Sequence, residues 1–224
     1  MEDKPEPSFL QPSLYQKMKI SVITPTISHA VFGTLLRPGL IERFDCYKRI
    51  TNSNNNERNE TLKDGEQITD DDTEVAVAII KVGNQLNGHV GIVHGGIVSL
   101  LLDEAFGWAI EALYPPETME KEGRLIFTGN MNVNYRKALP KNTTVMIRLF
   151  HIKTDGRKIY LKARMEDFQK AGKEGVVYSE ATSLWLAVYT KEKKVGMTES
   201  DEIMMQRRGS EKMANTLSTS SIMP

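Results

Sequence analysis

A carboxylate and two adjacent glycines make residues 94–107 the part of the sequence best suited to chemistry. Gly95 and Gly96 open a long apolar segment, and Asp103 lies within it. At 100° per residue, Gly96, Asp103 and Gly107 fall within a sector of about 60° on one helix face. Backbone N–H groups at a helix start stabilise negative charge, and a carboxylate on the same face activates water or attacks a carbonyl. The spacing fits equally well a tight turn followed by a buried structural acid.

The segment from Ile97 to Leu113 predicts the helix that carries this carboxylate. Its residues are apolar on nearly all sides, which is typical of a helix buried in a protein core. The segment also carries three carboxylates, Asp103, Glu104 and Glu111, and is short for a membrane span. We therefore expect a buried helix and no integral membrane segment.

Residues 125–135 predict a strand, because apolar and polar side chains alternate there with a period of two. The apolar row consists of Leu125, Phe127, Met131, Val133 and Tyr135, and the polar row consists of Thr128, Asn130, Asn132 and Asn134. Asparagine is disfavoured in strands, so a polar row that begins with a hydroxyl suits the wall of a site. The alternative is a solvated face of an antiparallel sheet.

Three motifs in this order resemble the hotdog-fold acyl-CoA thioesterases of the phenylacetyl-CoA thioesterase type. They are His94-Gly95-Gly96 with Asp103 and Phe106-Gly107, the stretch from Thr128 to Lys137, and the stretch from Tyr178 to Leu184. The last two are similar to the thioesterase superfamily member 4 branch. The resemblance covers roughly residues 74–190. It implies an α+β hotdog fold, in which an antiparallel sheet of five to six strands wraps a long buried central helix.

The resemblance also implies roles for individual residues. Asp103 matches the catalytic carboxylate, Thr128 the hydroxyl that helps to hold the attacking water, and Gly96 the residue whose backbone N–H polarises the thioester carbonyl. The remaining positions expected at the substrate are His94, Gly95, Asn134, Arg136, Arg157 and Lys158. We expect His94 to orient the turn rather than to react, and we expect no metal and no cofactor.

These features predict an enzyme that hydrolyses an acyl-CoA thioester to a free acid and coenzyme A. The acyl group is expected to run along the helix past Leu100, Glu104 and Gly107. By analogy with the family, the active sites would lie at a homodimer interface, with Asp103 of one subunit facing Thr128 of the other. A dimer of dimers fits the same pattern.

Two other functions are compatible with this fold. One is a binding or regulatory protein that keeps the hotdog pocket without turnover. The other is a hotdog dehydratase, although such enzymes usually place a catalytic histidine in a different motif. Ser99 does not lie in a Gly-x-Ser-x-Gly elbow, which argues against a serine hydrolase. Trp108 and Trp185 are interpreted as core residues.

The remaining segments place these motifs in one domain. We expect an N-terminal extension at residues 1–40, loosely ordered over residues 1–20, the hotdog domain at 41–190, and a polar, disordered tail at 191–224. The other strands are predicted at 41–50, 74–82, 144–152, 158–166 and 176–189, with a hairpin turn at Asp155-Gly156 and a polar loop at 51–73.

Charge and cysteine content exclude several classes of protein. Lysine plus arginine and aspartate plus glutamate both number 29, so no net field attracts the chain to nucleic acid or to a membrane. The single cysteine, Cys46, excludes an internal disulfide and suits a reducing compartment. The acidic start is unlike a transit peptide and favours the cytoplasm, whereas the family analogy implies the mitochondrion.

Overall fold

A long helix packs against one face of an antiparallel sheet in the structure, a computed structural model that describes residues 10–19, 29–50, 73–170 and 175–190. The chain divides into two units, Met1–Val188 and Tyr189–Pro224, and the site described below lies in the first. The predicted polar loop at 51–73 and the tail at 191–224 lie almost entirely outside the described residues.

The central helix α1 spans Gly95–Leu113 and is followed by a short helix α2 at Pro116–Glu122. Side chains on several sides of α1 are buried, including Leu101, Leu102 and Phe106. This burial explains why the sequence shows no narrow apolar stripe over this segment. Single helical turns occur at Ala30–Leu35 and at Phe168–Lys170.

Nine strands occur within the described ranges. Seven of them form one sheet in the order β1-β2-β3-β7-β8-β9-β6, and the short β4 and β5 pair with each other. The strands are β1 Tyr15–Lys17, β2 Ile41–Arg49, β3 Thr73–Val82, β4 Asn87–His89, β5 Ile92–Val93, β6 Arg124–Tyr135, β7 Thr144–Asp155, β8 Lys158–Asp167 and β9 Val177–Tyr189.

Each pair of neighbouring strands in the series β1-β2-β3-β7-β8-β9 runs antiparallel. Strand β6 lies at the opposite edge from β1, next to β9. The Arg136 N–H, just beyond β6, bonds the carbonyl of Tyr178 at the start of β9. Gly129 lies against Leu186 near the end of β9, so β6 and β9 are also antiparallel.

The predicted α+β fold, with a buried helix wrapped by an antiparallel sheet, is confirmed. The sheet has seven strands rather than five to six, because β1 adds to the edge of β2. Residues 15–17 are therefore ordered, although residues 1–20 were expected to be loose. The Tyr15 hydroxyl donates to the buried carboxylate of Glu74, which also pairs with Arg148.

The single cysteine of the chain, Cys46, lies in β2 among core side chains that pack against α1. Burial raises the pKa of its thiol well above the usual value.

Within the described ranges, no helix has both the length and the hydropathy that crossing a bilayer requires.

Candidate functional site

Asp103 and Thr128 meet between the central helix and the edge strand. The Thr128 Oγ1 donates a hydrogen bond to the Asp103 Oδ1 over 2.9 Å. Helix α1 carries Asp103 in its middle, and β6 carries Thr128 beside it. Both residues belong to one chain, so the expectation that Asp103 would face Thr128 of a second subunit is wrong. The hydrogen bond fixes the carboxylate next to a hydroxyl that keeps its own lone pairs for a further donor.

The side of β6 that faces the helix changes partway along the strand. Ile126 and Met131 both pack against the core, although an odd separation would place them on opposite faces of a regular strand. An irregularity therefore lies between them, at Gly129. A Cβ atom on Gly129 would lie 3.0 Å from the Leu186 side chain, so this close approach of β9 requires glycine. Thr128 consequently faces the helix together with Ile126.

This change separates Thr128 from the three asparagines predicted to share its face. Asn130, Asn132 and Asn134 are all exposed at the sheet edge. On the other side of the change, Leu125 and Phe127 are 48% and 53% exposed rather than buried. The strand itself was predicted correctly, but its two continuous rows were not, because a period of two holds only while the strand is regular.

His94 holds the start of α1. Its Nδ1 accepts a hydrogen bond from the Gly96 N–H over 2.9 Å, and it occupies the N-cap position. A Cβ on Gly96 would lie 3.1 Å from this nitrogen, which explains why the position is glycine. The Gly96 N–H, predicted to polarise a carbonyl, is therefore already engaged by His94. The Gly95 N–H has no hydrogen-bond acceptor among the described residues.

Tyr135 ties the other end of β6 to the helix start. Its hydroxyl donates to the Gly95 carbonyl over 3.1 Å and lies 2.6 Å from the Ser99 Oγ. Tyr135 was predicted only as a member of an apolar row, and Ser99 was weighed only as a nucleophile. A tyrosine at the end of a core-facing row was the available signal, since its hydroxyl requires a polar partner.

A cavity of about 450 Å³ lies along α1 beyond Asp103. Glu104 and Gly107 line it, whereas Leu100, the third residue expected along the acyl path, does not. Its apolar walls include Trp108, Ile110, Met119, Ile126 and Trp185. Trp108 and Trp185 are both buried, which agrees with their prediction as core residues. Each also lines this cavity. Such a volume lies within the range of small-molecule sites.

Five polar side chains line the cavity: His29, Glu104, Glu111, Glu120 and Arg124. Burial, reinforced by the neighbouring Asp103 charge, raises the pKa of Glu104 to about 7, and a hydrogen bond with Trp108 opposes this shift. Burial also raises the pKa of Glu111, one of the other lining carboxyls. Arg124, at the start of β6, lines the same cavity. Glu104 was predicted to lie along the acyl path, Glu111 was noted only as a carboxylate of the helix, and Arg124 was not predicted.

The predicted coenzyme A contacts on β6 lie close to the helix start. Arg136 follows Tyr135, which contacts Gly95, and its Nε pairs with Glu180 over 2.8 Å. Asn134 is exposed immediately before Tyr135. These two predicted contacts are therefore neighbours at one end of the site.

The other two predicted contacts lie at the far end of the sheet. Arg157 and Lys158 belong to the hairpin between β7 and β8, where Gly156 has a φ of 56° as the turn requires. The Arg157 carbonyl accepts a hydrogen bond from the N–H of Ala187, near the end of β9. The carbonyl of Tyr178, at the start of β9, accepts a hydrogen bond from the N–H of Arg136. Nine residues of strand separate these points by about 30 Å. One chain thus does not bring all four residues together.

No group of three or more histidine, cysteine, aspartate or glutamate side chains in the described part of the chain is arranged to hold a metal ion. The groups with reactive potential described above are the Asp103 carboxylate, the Thr128 hydroxyl and the amide at the start of α1. These groups can deprotonate a water and stabilise an oxyanion.

The long central helix wrapped by an antiparallel sheet defines a hotdog fold. Residues 90–184 match the family model of the thioesterase superfamily, which confirms the resemblance over this part of the chain. The chain is similar to acyl-coenzyme A thioesterase THEM4 of Bos taurus, with 28% identity over 51% of this chain and 42% of that protein. It is also similar to acyl-coenzyme A thioesterase THEM5 of Homo sapiens, with 24% identity over 52% of this chain and 42% of that protein.

The chain spans less than half the length of the curated relatives it matches. Among solved structures, it is similar to a hypothetical thioesterase with coenzyme A from Streptococcus pneumoniae, with a TM-score of 0.43 and 20% identity over 54% of this chain and 83% of that chain. A thioesterase from Haemophilus influenzae gives a TM-score of 0.44 and 13% identity over 57% of this chain and 80% of that chain.

Proposed function

We propose that the protein hydrolyses acyl-CoA thioesters to a free acid and coenzyme A, with Asp103 as the catalytic carboxylate. The hydrogen bond between Thr128 and Asp103 carries this proposal, and the next residue along α1, Glu104, lines the cavity described above. The names of the relatives, acyl-coenzyme A thioesterases THEM4 and THEM5, support the same reaction.

In the proposed reaction, a water molecule binds between the Asp103 carboxylate and the Thr128 oxygen. Asp103 accepts a proton from the water as the water oxygen bonds the thioester carbon. The carbonyl oxygen becomes an oxyanion, and the carbon–sulfur bond then breaks. The proton passes to the departing thiolate, so the products are the carboxylic acid and the coenzyme A thiol. Direct attack by Asp103, followed by hydrolysis of the resulting anhydride, gives the same products.

We assign the oxyanion donor to the Gly95 N–H instead of the Gly96 N–H, which His94 engages. A donor must lie about 3 Å from the oxyanion, and the attacking group about 3–3.5 Å from the carbon. The eight residues from Gly95 to Asp103 rise about 12 Å along the helix. This separation favours a site in which the donor and the carboxylate come from different chains.

We therefore propose a homodimer formed by antiparallel pairing of two β6 edges. The exposed residues along β6 and its position at the sheet edge support this pairing, since an unpaired edge strand is a template for another strand. A two-fold axis near the middle of β6 would bring the helix start of one subunit towards the Asp103–Thr128 pair of the other. Arg136 and Arg157 from different subunits could then approach one coenzyme A.

The test is hydrolysis of a panel of acyl-CoA thioesters by the wild type and by Asp103→Asn, followed through release of the coenzyme A thiol. Asparagine keeps the size of the side chain but removes the base, so kcat should fall by about 10²- to 10⁴-fold. Glu117→Gln, a surface change on α2, is the matched control and should leave kcat unchanged. Equal turnover by Asp103→Asn would remove Asp103 from the mechanism. Binding of coenzyme A without any hydrolysis by the wild type would identify a binding protein.

A further inference from the structure

The cavity that begins at Glu104, the residue after Asp103, is also lined by polar side chains farther along α1. Two independent distances place these side chains relative to Asp103 and Thr128. Along α1, Glu111 lies eight residues beyond Asp103, which corresponds to about 12 Å. Along β6, Arg124 lies four residues before Thr128 and on the same side of the strand, which corresponds to about 13 Å. Because Glu111 and Arg124 both line the cavity, it carries polar groups at about this distance from the proposed reacting centre.

The polar groups at this end include donors and acceptors. Glu111 is half-buried, and burial raises its pKa, so its carboxyl is incompletely solvated. The Arg124 side chain is only 13% exposed, with its guanidinium 4.7 Å from the centre of the Tyr114 ring. The Arg124 Nη2 pairs with Glu122, but its Nε is buried with no hydrogen-bond partner among the described residues.

A plain acyl chain would be poorly matched to this end. It would displace water from the Glu111 carboxyl without replacing the lost hydrogen bonds, and leaving such groups unpaired is costly. A polar group on the chain would replace those bonds. The polar end of the cavity would therefore discriminate between acyl groups by their terminal substituent.

The charges select among polar groups. The ionisable lining residues are His29, Glu104, Glu111, Glu120 and Arg124. His29 lies 3.8 Å from the Glu104 carboxylate, and Glu122 already pairs with the guanidinium. The excess of carboxyls disfavours a terminal carboxylate. A terminal ammonium could donate to Glu111 but offers nothing for Arg124 to donate to. A hydroxyl both donates and accepts without adding charge.

We propose that this cavity accepts acyl groups with a terminal hydroxyl about 12 Å from the thioester carbonyl, received by Glu111 and Arg124. The proposal rests on the thioesterase function proposed above. It makes Glu111 a specificity-determining residue that contacts substrate far from the reacting bond.

The test compares acyl-CoA thioesters of increasing chain length, each as a plain chain and with a terminal hydroxyl, carboxylate or ammonium group. At one chain length, the wild type should favour the hydroxylated substrate by about tenfold or more in kcat/KM, because a site built for a hydroxyl rejects the analogue that lacks it. Glu111→Leu should bring the ratio of the kcat/KM values for hydroxylated and plain substrate to one or below. Glu117→Leu, the same replacement outside the cavity lining, should keep the wild-type ratio.

Binding of the free hydroxylated and plain acids, measured by calorimetry, provides a readout that does not depend on turnover. Hydrolysis with no preference at any length, or a preference for the carboxylate or ammonium series, overturns this proposal and leaves the thioesterase function intact. A ratio that Glu111→Leu does not change also overturns it. Absence of hydrolysis across the whole panel overturns the proposed function itself, and this inference with it.

Discussion

The Thr128 hydroxyl donates to the Asp103 carboxylate over 2.9 Å, and this contact joins the sheet edge to the middle of the central helix. Tyr135 makes the second such contact, with Gly95 at the helix start. The strand is thereby held against the helix at two points, one beside the carboxylate and one beside the free helix-start amide. The rigid placement of both groups underlies the predictions that follow.

Thr128→Val should lower kcat by roughly 10- to 100-fold, because it removes one hydrogen bond to a charged group while keeping the shape of the side chain. Thr128→Ser retains the hydroxyl and should stay within a few-fold of wild type. Steady-state hydrolysis of one acyl-CoA by the three proteins measures this. Equal loss in the serine and valine variants would show that the methyl group matters rather than the hydroxyl.

Alanine at Gly96 should mainly lower stability, whereas alanine at Gly95 should mainly lower activity. A Cβ on Gly96 would lie 3.1 Å from the His94 Nδ1, so Gly96→Ala should weaken the cap and lower the free energy of unfolding by about 1 kcal/mol. A Cβ on Gly95 would lie at an ordinary 3.6 Å from the Tyr135 ring. Gly95→Ala should therefore keep the Tm and lower kcat/KM by crowding the free amide. Thermal melts and hydrolysis rates together separate the two effects, and a Gly95→Ala protein with full activity would exclude this amide as the oxyanion donor.

Mixed subunits should restore activity if the helix start and the carboxylate come from different chains. Asp103→Asn and Gly95→Ala, refolded together in equal amounts, would form mixed dimers with one intact site each. Random assortment makes half of the dimers mixed, so the recovered activity should reach about a quarter of wild type. Each variant refolded alone provides the control. Recovery no greater than the average of the two would place the whole site within one chain.

Glu104 should make the protein less stable as the pH rises. Its pKa is about 7 in the folded chain against 4.5 in the unfolded chain, so the folded state binds more protons between these values. The favourable contribution is fully present below pH 4.5, declines up to about pH 7 and is absent above it. The loss is roughly 3 kcal/mol at most.

Glu104→Gln removes this titration and is the variant that isolates it. Urea unfolding of the wild type and the variant, below pH 4.5 and above pH 7, gives the difference in free energy of unfolding. The variant should gain stability relative to the wild type only at the higher pH. A difference that stays constant with pH would show that Glu104 ionises normally in the folded chain.

The central helix and the main strands could be predicted because their patterns are long and local. The apolar run that contains Asp103 and the alternation around Thr128 each extend over ten residues or more. Strand β1 has three residues, and it pairs with β2 while its tyrosine contacts Glu74, far away in the sequence. No local sequence pattern predicts a contact between residues as far apart in the sequence as Tyr15 and Glu74.

The details of the site depended on geometry that periodicity does not contain. The change of side along β6 occurs near Gly129, where Leu186 of another strand approaches closely. The engagement of the Gly96 N–H depends on the rotamer of His94. Arg124 and Glu111 face the same cavity only because α2 turns the chain back between them.

The reactivity of the buried Cys46 thiol can report how often the core of this chain opens. As the single cysteine, it offers a thiol reagent one site, and that site is closed while the sheet remains packed against α1. The rate at which a reagent modifies it therefore measures how often the core separates. A compound that occupies the cavity binds the closed state and should slow this modification in proportion to its occupancy, so ligands can be ranked without any turnover.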